Sequence, residues 1–203
     1  MAEPFFSIAI DRTDIERIPA VVHATDGQFE RARLRTLRKI QKPIKRDIMQ
    51  AAAQKLRIPQ KAIADRFFSN ALGDGDTELR VWIGAWPVEP FSIGTPRQTP
   101  TGVKSGSRFY RGAWLGSVYT LEEKVWIRLR SPHFSSEMYP TRYRGGDRDM
   151  ARNHRFPVVR AAVPIDGVIA EVLKTDGQQF ADRFLRIFGQ ELNYEVNVKG
   201  VSR

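Results

Sequence analysis

The segment from Thr25 to Ala53 narrows the possible folds more than any other part of the chain. Phe29, Leu37, Ile40, Ile44 and Ile48 recur at threes and fours, and the run ends in Ala51, Ala52 and Ala53. That period puts one apolar stripe on a long α-helix. A helix of this length must bury its stripe, so the remaining residues have to supply a core. Pro43 lies inside the run. It lacks an amide donor and crowds the preceding turn, which predicts a kink near Lys42 with the apolar seam kept in phase.

The other sides of the same helix are basic. Arg31, Arg33, Arg35, Arg38, Lys39, Lys42, Lys45 and Arg46 follow one another with no acidic residue between them. Three readings compete: a solvated face, a helix contacting phosphates, or a surface docking onto an acidic neighbour. The whole chain carries 33 basic and 23 acidic residues, a formal charge of +10, which suits either kind of anionic partner. There is no zinc-finger, helix-turn-helix or RNA-recognition signature, so any nucleic-acid contact is expected to be non-specific.

Beyond the helix, Ile58-Pro59 resets the chain, and Gln60 to Leu72 reads as a second, shorter helix ended by Gly73-Asp74-Gly75-Asp76. Thr77 to Trp86 alternates with a period of two, Leu79, Val81 and Ile83 facing one way, Arg80, Trp82 and Trp86 the other. After a proline-bearing loop, Arg108 to Leu115 and Lys124 to Arg130 read as the two strands of a hairpin. Phe156 to Ile165 is a last strand-like run, restricted to an edge or a short segment by Pro157 and Pro164. Asp166 then caps an amphipathic helix to about residue 192, followed by a loose tail from 193 to 203.

This order predicts an α+β class: a small antiparallel or mixed sheet of about four to five strands packed against a long kinked N-terminal helix and a C-terminal helix. The division is a lead-in with a short strand over 1–24, a helical region over 25–72, and the sheet over 77–165. A long loop over 131–154 interrupts the sheet. No linker separates two halves, so one domain over 1–203 is expected. The chain has no cysteine, no basic leader before an apolar core, and no run of about 20 apolar residues. It reads as soluble and unprocessed, with no membrane contact.

Chemistry is poorly signalled. No P-loop, GxSxG or Rossmann glycine pattern is present, and no cofactor motif. His133 with Glu137, or His154 with Asp147 and Asp149, can be drawn as ligand sets, but neither has a metallohydrolase spacing. The aromatic and arginine positions say more. Strand alternation places Trp82 and Trp86 with Arg80, Tyr110 and Trp114 with Arg108, and Trp126 with Arg128 and Arg130. Such a set is an interface between protein chains, a stacking platform for single-stranded nucleic acid, or a second core layer.

Taken in order, several segments resemble the prophage minor tail protein Z family, the tail completion proteins of long-tailed bacteriophages. They are Ala52 to Ile63, ending a basic helix at Ile58-Pro59; Gly102-Val-Lys104 leading to Phe109-Tyr-Arg-Gly-Ala-Trp114; Val125-Trp-Ile-Arg128; Arg155-Phe-Pro-Val158; and Val163-Pro-Ile165 before the final helix. The resemblance implies a structural protein of the virion, without catalysis or cofactor, assembled in the host cytoplasm. It implies action late in tail assembly at the head-proximal end, in a homo-oligomeric ring, possibly a hexamer, against the tail terminator or tube. Trp82, Trp86, Arg108, Tyr110, Trp114, Trp126, Arg128 and Arg130 are then the candidate protein contacts. Arg31, Arg35, Arg38, Lys39, Lys42, Lys45 and Arg46 are the candidate basic surface for a neighbouring tail protein or DNA.

Overall fold

A computed structural model describes residues 5–6 (backbone), 15–21, 23–74, 76, 78–118, 121–135 and 157–199. Thr25 opens the long helix with a capping box: its amide donates to Gln28 Oε1 at 2.9 Å, and the Gln28 amide donates to Thr25 Oγ1 at 3.4 Å. Helix α1 then runs over Asp26–Leu56, undivided at Pro43. Its seam is the expected one, with Leu37, Ile40, Ile44 and Ile48 buried. It ends in a Schellman turn, the Ile58 amide donating to Ala53 O and the Arg57 amide to Gln54 O. Arg57 occupies the left-handed position of that turn at φ 53°.

The helix expected over Gln60 to Leu72 is not formed. Two 3-10 turns, Gln60–Ala62 and Ala64–Arg66, lead instead into strand β2, Phe67–Ser69. The segment's apolar residues fit either period, and pairing with another strand decides between them: Phe67, buried, lies opposite Ile83.

The described residues form two compact units, each drawn from separate stretches of chain. The first comprises residues 1–49, 67–83 and 171–203. It holds an antiparallel sheet in the order β1-β3-β2, where β1 is Phe5–Phe6 and β3 is Val81–Ile83. Val81 and Ile83 are buried and Trp82 is half-buried, as the two-residue period predicts. Here α1 runs antiparallel to the last helix, Asp166–Asn193: Phe29 meets Phe188 edge to face at 5.1 Å near one end, and Arg183 pairs with Asp47 at 2.5 Å near the other. The expected loose tail continues as a π-helical turn over Tyr194–Val198, held because Glu195 in it is buried against cations of α1.

The second unit comprises residues 50–66 and 84–170. After a single helical turn, α2 (Pro90–Ile93), come β4 (Arg97–Thr99), β5 (Gly102–Ser105) and β6 (Arg108–Arg111), then β7 (Trp114–Gly116), β8 (Lys124–Arg128) and β9 (Val158–Arg160). The last helix, Asp166–Asn193, is α3. Two antiparallel sheets result, β4-β5-β6 and β7-β8-β9. Val103, Tyr110, Ala113, Val125, Ile127, Val159 and Ala161 form the buried cluster of this unit.

The fold is therefore α+β, the described residues forming three three-stranded sheets where a single sheet of four to five strands was expected. Gly112 is the physical reason in the second unit. At φ +70° it takes a left-handed conformation that breaks the Arg108 to Leu115 run into two strands. β6 pairs with β5, Tyr110 opposite Val103, while β7 alone forms the expected hairpin with β8, Trp114 opposite Trp126. β9 is an edge strand, as Pro157 requires. Of the expected long loop, residues 136–154 lie outside the described residues.

Candidate interaction surface

The basic side of α1 is largely engaged by its own chain. Arg31 Nε lies 2.8 Å from Glu195 Oε2, and Arg35 Nη1 lies 2.7 Å from Glu195 Oε1. Lys39 donates to Glu191, and Gln28 Nε2 donates to the Glu195 carbonyl at 3.1 Å. Arg35 also lies over the Tyr194 ring, 5.5 Å from its centre. Arg33 pairs with Glu30, Arg38 donates to Leu72 O at 3.0 Å and lies 3.5 Å from Asp74, and Arg46 pairs with Asp47 at 3.0 Å. Among the described residues only Lys42 and Lys45 of the candidate basic surface lack an ion pair or a hydrogen-bonded acceptor.

The acidic neighbour that such a helix calls for is thus the end of α3. Glu191 and Glu195 stand four residues apart where the last helix closes, a spacing that was visible in the sequence. What hid their role was the expectation of a loose tail after residue 192.

Glu195 is buried, and burial alone would raise its pKa. Arg31, Arg35 and Lys199 outweigh that and hold the carboxyl below its usual value of 4.5. A depressed carboxylate stabilises the fold at pH above 4.5, and the contribution disappears as pH falls through the lower folded value. Glu195→Gln should therefore lower stability at pH 7 by about 1–2 kcal/mol, discounted for the exposed ends of Arg31 and Arg35. Denaturant midpoints measured from pH 7 to pH 3 should show the variant and the parent converging at the acid end. A difference independent of pH would remove the ion-pair account.

The aromatic set divides differently from the sequence expectation. Trp126 and Tyr110 are core residues, each 1% exposed, so neither is available for contact with another chain. Trp126 Nε1 donates to Gly116 O at 2.7 Å. Burial pushes the Tyr110 hydroxyl up to about 12, with Arg108 pulling the other way. Arg108 is half-buried and donates to the Leu56 carbonyl at 2.7 Å, so it serves the fold. Trp86 is half-buried, its ring 4.9 Å from the guanidinium of buried Arg66, which donates to the Trp86 and Pro87 carbonyls. Trp114 and Trp82 are half-buried, and Arg128 and Arg130 are exposed.

Arg108 and Tyr110 share a face of β6, as alternation predicts, but it is the buried one and not a contact surface. Phe109 and Arg111 face solvent. The controlling signal is Val103, fully buried and directly opposite Tyr110. Among the described residues no three His, Asp or Glu are grouped to hold a metal ion; Glu137, Asp147, Asp149 and His154 lie outside them. No described helix is long and apolar enough to cross a membrane. Compared with protein-family models, curated proteins and solved structures, the chain finds no match.

Proposed function

We propose that the protein is a structural subunit of a bacteriophage tail, a minor tail or tail completion protein that acts late in assembly at the head-proximal end. It works by ring-type association of its own copies and by contact with the tail terminator or tube, without catalysis or a cofactor. The observation that carries this reading is the ordered series of family-like segments from Ala52 to Ile165. Its support in three dimensions is that segments far apart in sequence belong to one packing unit. The Gly102-Val-Lys104 and Phe109-Tyr-Arg111 segments are paired strands. The turn between them docks on the end of α1, Ser107 Oγ donating to Arg57 O at 2.8 Å and Arg108 to Leu56 O.

The alternative of a nucleic-acid-binding helix is weakened by the engagement of Arg31, Arg35 and Lys39 with Glu191 and Glu195. With Trp126, Tyr110 and Arg108 assigned to the fold and the Trp86 ring set against buried Arg66, Trp114, Arg128 and Arg130 are the contacts retained in the second unit. Light scattering and electron microscopy of the purified protein should show closed rings. Arg128→Glu with Arg130→Glu should dissociate them without changing the monomer melting temperature. A strict monomer at high concentration overturns the ring-type mechanism.

A further inference from the structure

The exposed face of the β4-β5-β6 sheet carries a composition that the tail-assembly reading does not use. Registered pairing sets Arg97 opposite Lys104 and Lys104 opposite Phe109, so these three form one row across the three strands. Directly opposed side chains on adjacent strands lie within about 5 Å at their Cβ atoms, and the row is about 10 Å wide. Arg111, two residues beyond Phe109 on β6, shares this face and stands opposite Gly102. Gly102 has no side chain, and the β6 backbone packs close against it, Arg111 Cα standing 3.0 Å from where a Cβ would lie.

All four side chains are exposed, Phe109 at 42%. Among the described residues Arg97, Lys104 and Arg111 enter no ion pair, and no carboxylate occupies their row. The contrast with α1 is direct: there the cations are met by Glu191 and Glu195, and here three remain unmatched around one ring. On the opposite face Val103 and Tyr110 are buried, so β5 and β6 present a single open side.

We propose that this face is a binding platform for single-stranded nucleic acid. Phe109 stacks on a base, and Arg97, Lys104 and Arg111 contact the flanking phosphates. Flat sheet faces bearing an exposed ring among cations bind unpaired bases in this way, since every base has a face to stack and every linkage a charge. A protein partner fits less well: lysine is depleted at protein interfaces, whereas Lys104 lies at the middle of this row. A duplex keeps its bases stacked on one another and leaves the ring without a partner.

The test uses the full chain and labelled oligothymidylate of about 12 nucleotides, followed by fluorescence anisotropy at low and near-physiological salt. The single strand should bind more tightly than a duplex of the same length, with affinity falling steeply as salt rises. Phe109→Ala should weaken binding about tenfold with the salt slope unchanged. Lys104→Gln and Arg111→Gln should each reduce that slope by about 0.7. Lys174→Gln, at an exposed position on α3, should alter neither. Because these side chains are exposed, melting temperatures should match the parent, and binding is read whatever the oligomeric state, so failure here is separate from failure of ring assembly. Equal or tighter duplex binding, absence of binding at low salt, indifference to Phe109→Ala, or equal competition by polyglutamate overturns the proposal.

Discussion

Trp126→Ala should lower stability by about 3–5 kcal/mol, the cost of removing a large buried ring and leaving a cavity the surroundings only partly fill. Trp126 is 1% exposed and sits at the centre of a row, opposite Trp114 on β7 and Arg160 on β9. On the same face Glu89 pairs with Lys124, two residues before Trp126, at 2.8 Å and with Arg160 at 3.5 Å. The ring is thus buried within the chain itself, and its Nε1 proton is taken by Gly116 O. Trp126→Phe keeps most of the ring volume but leaves that carbonyl without its donor, a smaller loss of about 1–2 kcal/mol. Trp114→Ala, at a half-buried site, should cost less than Trp126→Ala. Denaturant unfolding of the three variants gives the order directly. A Trp126→Ala protein that melts with the parent but no longer assembles would return this residue to an interface and contradict its burial.

What the sequence made legible follows the length of each periodic signal. The α1 seam from Phe29 to Ile48 repeats often enough that only one structure satisfies it, and the same holds for α3, where Gly177 leaves the helix intact. The short runs were harder because a period of two needs a parity, and parity comes from a partner strand. Alternation in β6 is plain, yet Val103 on β5 decides that Tyr110 faces inward. Gly112 shows a second limit: one residue with positive φ moved half of an expected strand into a different sheet. Phe67 shows a third, since its burial opposite Ile83 overrides the helical reading of Gln60 to Leu72.

The candidate site was legible only in composition. The Gly102 to Arg130 stretch is visibly rich in aromatic and basic residues, but only strand register sorts them between core and surface. Trp126 and Tyr110 fell to the core, and Phe109 and Arg111, which carry the opposite parity, came to the surface. The partner of the basic helix is hidden for a related reason: its acidic counterpart is far away in sequence, with pair separations of 152 and 164, and only the antiparallel packing of α1 and α3 brings the two together.

Gly102→Ala tests the register on which both sorting and platform depend, and should cost about 3 kcal/mol. A Cβ at this position would stand 2.3 Å from the Tyr110 carbonyl oxygen and 3.0 Å from Arg111 Cα. Both are backbone atoms of the neighbouring strand, so no rotamer change relieves the overlap; β5 and β6 must separate. The Gly102 carbonyl is held as well, accepting from Thr99 Oγ1 at 2.8 Å and Gln98 Nε2 at 3.2 Å, which ties the third strand to the same residue. Separation therefore disturbs the row of Arg97, Lys104 and Phe109 together, and oligothymidylate affinity should fall with stability. Gly177→Ala supplies the contrast. Nothing lies within 4 Å of its added Cβ, it is inside α3, and the same chemical change there should stabilise by up to about 1 kcal/mol. Thermal or denaturant unfolding that gave the two variants the same sign would mean that β5 and β6 do not approach as closely at Gly102 as this register requires.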